Sequence, residues 1–229
     1  MTVSATSENA KGAIVFDCDG TLVSSQESVL HAAGVMVSEI LGREVKRDEI
    51  LKLYTPNMLD FAKRLGLDIN DQELLVRLQK RWIEILQTQK ERQRPFDGIL
   101  ELLQKLQKAN FELYVWTARD RASTTRILTH WGLMSYFWDM RCLDDTTPKP
   151  HPRGIEEQVA HWEDKSRVVV IGDSYTDMQG ARLFGAIPVG ALWEPSARES
   201  DLVREGAKLC VKTPLEFQAF LEQHFQLTL

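Results

Sequence analysis

Cysteine is scarce in this chain and unpaired by spacing. Cys18, Cys142 and Cys210 are an odd number with no CxxC, which excludes a disulfide framework and a cysteine-based zinc site. Reduced thiols in a cytosol are the simple reading. Positive charge is not in excess either. With 28 Lys and Arg against 33 Asp and Glu, the formal net charge is −5, against the basic balance of a general nucleic-acid binder. Long hydrophobic runs are missing: the longest, such as Val168–Ile171, are strand-sized, far below a membrane span. Residues 1–11 are small and polar and lack the apolar core of a signal peptide. No internal repeat and no low-complexity stretch interrupts the chain. The expectation is a soluble, cytoplasmic protein of one large domain with a modest insertion, bound to neither membrane nor nucleic acid, preceded by a loose tail of about ten residues.

What is present is a series of short, continuously apolar runs. Ala13–Phe16 stops at Asp17 and turns at Gly20; similar runs are Leu113–Trp116, Val168–Ile171 and Ile187–Val189, with a weaker one at Leu209–Val211. Continuous rather than alternating apolarity predicts strands buried on both faces, as in a parallel sheet. Helical patterns separate them over Gly98–Lys108, Ala122–Trp131, Gly154–Trp162 and Asp177–Phe184. The prediction is an α/β, Rossmann-like core with helices on both faces. From Ser25 to about Arg94 the alternation stops. Val29, Ala32, Ala33, Val35, Met36 and Ile40 form one helical face, and Leu74, Leu75, Leu78, Trp82, Ile85 and Leu86 another. Seventy or so helical residues exceed any ordinary crossover. Residues 25–94 are therefore expected to form an all-helical cap, and residues 1–24 with 95–229 the core; Pro95 and Gly98 mark the return.

Ligands of such sheets bind beyond the carboxyl ends of the strands. The first strand ends in Asp17-Cys18-Asp19-Gly20-Thr21, the second in Thr117-Ala118-Arg119, and a later one in Gly172-Asp173-Ser174-Tyr175-Thr176-Asp177; Pro148-Lys149-Pro150 lies between the last two. Together they offer four carboxylates, a hydroxyl and an ammonium. Two carboxylates about 4 Å apart repel by roughly 4 kcal/mol at an effective dielectric near 20, so the cluster calls for a cation. An all-oxygen acidic site suits Mg²⁺, which fills its remaining positions with water and phosphate oxygens.

Phe16-Asp17-Cys18-Asp19-Gly20-Thr21-Leu22 resembles the first motif of the haloacid dehalogenase-like superfamily. Thr117 after an apolar strand matches the second motif, Lys149 before Pro150 the third, and Gly172–Asp177 the fourth. Gly172 to Gly185 is similar to the phosphoglycolate phosphatase and phosphoglucomutase branch, and a helical cap falls between the first and second motifs. The resemblance implies that Asp17 attacks phosphorus to form an aspartyl-phosphate. It implies that Asp19 is the general acid and base. Thr117 and the amides after it, including that of Ala118, would bind phosphoryl oxygens, and Lys149 would neutralise them. Asp17, Asp173 and the Asp19 backbone carbonyl would hold Mg²⁺, with Asp177 ligating or orienting a ligand. Ala118 stands where relatives often carry an asparagine, so Arg119 is either a substrate-binding candidate that compensates for the lost polar contact or a residue that only caps the sheet end.

Cys18 between two carboxylates should have a raised thiol pKa and is not expected to be a nucleophile. Ser174-x-x-Asp177 also reads as a helix capping box, a role compatible with a metal site. His151 and His161 lack zinc-ligand spacing, and Gly180 and Gly185 read as packing and helix-end residues. The cap is expected to set substrate choice. Tyr54-Thr55-Pro56-Asn57 falls where related caps carry a Gly-x-Pro loop, making Tyr54 a substrate-binding candidate. The implied activity is a phosphatase acting on a small phosphorylated metabolite. The alternatives are a phosphosugar mutase, against which Thr21 speaks because mutases more often have an aliphatic residue there, and a non-catalytic phospholigand sensor.

Overall fold

A computed structural model describes residues 10–55, 58–88 and 93–229. In chain order the elements are β1 (Ala13–Phe16), β2 (Val23–Ser24), α1 (Gln26–Leu41), α2 (Arg47–Leu53), α3 (Met58–Arg64) and α4 (Gln72–Gln87). Then come β3 (Arg94–Pro95), α5 (Ile99–Lys108), β4 (Glu112–Trp116), α6 (Arg121–His130), β5 (Asp139–Arg141) and α7 (Arg153–Val159). The chain closes with β6 (Val168–Gly172), α8 (Tyr175–Phe184), β7 (Ile187–Ala191), α9 (Glu199–Arg204), β8 (Leu209–Val211) and α10 (Pro214–Phe225).

Six strands form one parallel sheet in the order β5-β4-β1-β6-β7-β8. The chain runs outward from β1 through β4 to β5, then returns to β1's other side at β6. β1 therefore lies at the point where strand order reverses, the place where open α/β sheets bind ligands. All four residues of β1 are buried, and its side chains alternate between two cores. Ile14 and Phe16 join Leu103 and Leu106 of α5, Leu128 of α6 and Phe217 of α10. Ala13 and Val15 join Trp116, Ile155 and Val159 of α7, and Ala181 of α8. Each large aliphatic or aromatic side chain so enclosed contributes roughly 1.5–3 kcal/mol. Trp116 is the largest. Its ring fills the space above Gly154 and Gly180, where an added Cβ would lie 2.5 and 2.2 Å from ring atoms.

The described residues divide into two compact units, 10–24 with 94–229 and, for the other, 25–55, 58–88 and 93. Arg94 belongs with the sheet unit because it pairs with Ser24 in the short antiparallel β2–β3 ladder. In the helical unit, Ala32 and Met36 of α1 pack on Leu78 and Ile85 of α4. Ala33, Val37, Val45 and Phe61 form a second cluster with Tyr54 and Trp82. Asp71 caps α4 by accepting from the Leu74 amide at 2.9 Å.

Several elements depart from the expected pattern. β5 was not foreseen: Asp139-Met140-Arg141 is short, half polar and at the sheet edge, so it carries no apolar run. The helices α9 and α10 also lay outside the expected set. α10 is capped by Thr213, whose hydroxyl accepts from the Glu216 amide at 3.1 Å, and begins at Pro214.

Candidate active site

Register brings the strand ends level. Phe16 is paired with Val115 on one side and Ile171 on the other, so Asp17, Thr117 and Asp173 all emerge at the carboxyl edge of three adjacent strands. Neighbouring strands lie about 4.8 Å apart, which sets the spacing of what they deliver. Carboxylate oxygens of Asp17, Asp173 and Asp177 lie within 4.8 Å of one another. Two glycines make room for them. Gly20 has φ +77°, and a Cβ there would lie 2.1 Å from Asp173 Oδ2. A Cβ on Gly172 would lie 2.2 Å from Asp177 Oδ2. The turn after β1 is closed by the Gly20 amide donating to the Val23 carbonyl at 2.8 Å and the Leu22 amide to Cys18 at 2.9 Å.

The Lys149 side chain is buried beside this cluster. Its Nζ donates to Asp17 Oδ1 at 2.6 Å and to Asp177 Oδ1 at 2.5 Å, and stands 4.6 Å from the centroid of the Trp116 ring. Asp177 divides its oxygens. Oδ1 takes Lys149, while Oδ2 accepts from the Ser174 amide at 3.1 Å and hydroxyl at 2.7 Å, closing the expected capping box on α8. Asp177 is thus at once a helix cap and the anchor of Lys149.

The electrostatics follow from three acids and one ammonium in a buried space. Burial pushes the Asp17 carboxyl up, to about 7, with Asp177 adding to the rise and Lys149 opposing it. Burial, then Asp17 and Asp177, hold Asp173 well above the carboxylate range. Burial works against the charge on Lys149, but Asp17 and Asp177 outweigh it and raise its pKa above the ordinary lysine value. Lys149 therefore stays charged while the acids remain short of positive charge. The donor set, carboxylate oxygens only, fits a hard divalent cation such as Mg²⁺.

Asp19 stands apart from that cluster. Its carboxylate takes a two-pronged contact from Arg119, Nε to Oδ2 at 2.9 Å and Nη2 to Oδ1 at 2.5 Å. Thr117 is buried, its hydroxyl accepting from the Arg119 amide at 3.1 Å, while Ala118 between them is exposed. Cys18 is buried, and burial together with Asp19 drives its thiol far from ionisation.

Tyr54 lies in the helical unit's aromatic cluster, stacked on Trp82 at 6.0 Å between centroids and edge-on to Phe61 at 5.7 Å. Pro56 and Asn57 of the same loop lie outside the described residues. One carboxylate near the cluster escaped sequence reasoning. Glu194, buried three residues past the end of β7, adds its charge to those acting on Asp173. Looking beyond the carboxyl end of β7 as well as β1, β4 and β6 would have found it. His161 is structural: its Nε2 meets the buried Glu112 at 2.8 Å, at the amino end of β4.

Comparison with known proteins agrees with this architecture. Residues 14–190 match the family model described as haloacid dehalogenase-like hydrolase. The chain belongs to that family. A phosphoglycolate phosphatase from Thiobacillus denitrificans is 30% identical over 185 residues, covering 76% of this chain and 79% of its own length. A pyrophosphatase PpaX from Bacillus pumilus is 24% identical over 197 residues, covering 84% and 88%. A solved haloacid dehalogenase-like family hydrolase from Streptococcus pneumoniae superposes with a TM-score of 0.74 at 23% identity, over 92% of this chain and 98% of that one. No helix among the described residues is long and apolar enough to cross a membrane.

Proposed function

We propose that this chain is a Mg²⁺-dependent phosphatase that takes the phosphoryl group of a small phosphorylated metabolite onto Asp17. The observation that carries the reading is the meeting of Asp17, Asp173 and Asp177 within 4.8 Å, with Lys149 bonded to two of them. Relatives named as phosphatases support it. In the first step an Asp17 oxygen forms a bond to phosphorus as the bond to the leaving oxygen breaks, and protonated Asp19 supplies that oxygen with its proton. In the second, Asp19 takes a proton from water, which attacks phosphorus and frees Asp17 with release of inorganic phosphate. Lys149 balances charge on the phosphoryl oxygens, and Thr117 with the amides after it holds them. Asp17, Asp173 and the Asp19 carbonyl would hold Mg²⁺, which would supply charge neutralisation for the transferring group. Asp177, with both oxygens engaged, acts by fixing Lys149.

The test is phosphate release across a panel of phosphorylated metabolites with Mg²⁺, repeated with chelator and with Asp17→Asn. Release that depends on both supports the reading. Release that survives both overturns it, and interconversion of sugar phosphates without release replaces it with a mutase.

A further inference from the structure

Arg119 and Asp19 are 100 residues apart in sequence, and their contact joins the loop after β4 to the loop after β1. Both partners are held by their own backbones. The Arg119 amide donates to Thr117 Oγ1 at 3.1 Å, and its carbonyl accepts from the Leu143 amide at 3.0 Å. Next to it, Asp120 caps α6, its carboxylate accepting from the Ser123 amide at 2.9 Å. On the other side, Asp19 bridges to Val23 across the turn closed at Gly20. The Arg119 side chain is only 10% exposed, whereas the Asp19 side chain is 34% exposed. A buried planar fork thus grips a carboxylate that still faces solvent. Two parallel N–H···O bonds fix the plane and rotation of the carboxylate, which a single-point ammonium does not do.

We infer that Arg119 is a positioning residue that aims the Asp19 carboxyl group at the leaving oxygen, and that it does not bind the transferring phosphoryl group. The inference rests on the proposed phosphatase reading, in which Asp19 passes its proton to the leaving oxygen as the bond from that oxygen to phosphorus breaks. Arg119 keeps its own proton throughout; its Nε and one Nη are committed to Asp19. A misaimed acid matters in proportion to how much the leaving group needs a proton. Loss of the fork should therefore penalise poor leaving groups selectively.

The experiment compares kcat/KM for phenyl phosphate, whose leaving phenol has a tyrosine-like pKa of about 10, with that for p-nitrophenyl phosphate, whose leaving group is far more acidic. It uses wild type, Arg119→Met and Arg119→Lys, each also in an Asp19→Asn background. Thermal melts with and without Mg²⁺ accompany each variant. Arg119→Met should lose at least ten times more on phenyl phosphate than on p-nitrophenyl phosphate. Arg119→Lys, which keeps the charge without the fork, should share most of that selective loss, and bears the test alone should the methionine variant not fold. Neither substitution should cost more in the Asp19→Asn background. Equal losses on the two esters, a rise in KM alone, or a full further loss without Asp19 would overturn the inference and make Arg119 a phosphoryl-binding or purely structural residue. Hydrolysis of neither ester by wild type is a different failure, that of the phosphatase reading, and removes this inference with it.

Discussion

Asp173→Asn separates what the site does for stability from what it does for chemistry. Asp173 lies within 4.8 Å of Asp17 and Asp177, with Lys149 as the opposing charge. At that distance and an effective dielectric near 20, each charged pair is worth about 3 kcal/mol. Two repulsions and one attraction of similar size leave Asp173 a net burden of at most about 3 kcal/mol in the metal-free protein. Part of this is already relieved, because burial and the neighbouring acids favour the protonated form of Asp173. A neutral isostere should thus stabilise the chelated protein by about 1–3 kcal/mol at pH 8, or a rise of roughly 2–12 °C in Tm for a chain of this size. Mg²⁺ at a hundred times its Kd stabilises a binding protein by about 2.7 kcal/mol; the variant should lose most of that response. Phosphate release should fall by about 100-fold or more. Differential scanning fluorimetry in chelator and across a Mg²⁺ series reads the first two effects. An asparagine variant that melts below wild type in chelator and keeps the full Mg²⁺ shift would refute the reasoning.

Asp17 sets a pH dependence for the metal-free protein. Its folded pKa of about 7 lies above the ordinary 3.8, so the folded state holds this proton more tightly than the unfolded chain. The stability it contributes is present below the ordinary value and lost as pH rises through about 7, at most on the order of 4 kcal/mol. Tm in chelator should fall from pH 5 to pH 8, and Mg²⁺ should restore it at pH 8; a rise in chelator over that interval contradicts this. Gly20→Ala places a methyl on the Asp173 carboxylate at φ +77°. The backbone alone costs about 1–2 kcal/mol, and phosphate release should drop at least tenfold with weaker Mg²⁺ stabilisation. Wild-type turnover in this variant would show that the turn after β1 has more freedom than the contact allows. Glu112→Ala strips the acceptor from the Tyr114 hydroxyl at 3.1 Å, and from His161 and the Trp162 indole at 2.8 Å each. Urea unfolding should show a loss of roughly 2–4 kcal/mol, while Mg²⁺ affinity stays within about threefold because Glu112 lies at the other end of β4.

Much of the core was legible because its signals are local. Four apolar residues in a row, ended by Asp17 and the turn at Gly20, predict a doubly buried strand, and β1 is that strand. The capping box of α8 was legible for the same reason, since Ser174 and Asp177 are three residues apart. β5 was not, because an edge strand of Asp139, Met140 and Arg141 shows neither period, and its arginine is held through ion pairs with Asp139 and Glu157. Glu194 was missed because its closeness to Asp173 depends on how β6 and β7 lie side by side.

Residue type and order along the chain therefore determined that acids would crowd the carboxyl ends of β1 and β6, with a threonine and a lysine nearby. They could not determine which acid meets which base. That Lys149 bridges Asp17 and Asp177 while Arg119 takes Asp19 was decided by strand register, by the two glycines that admit the carboxylates, and by rotamers locked in packing. Hydrogen bonds between residues 100 or more positions apart have no local signature, since only the closed sheet brings their atoms within 3 Å.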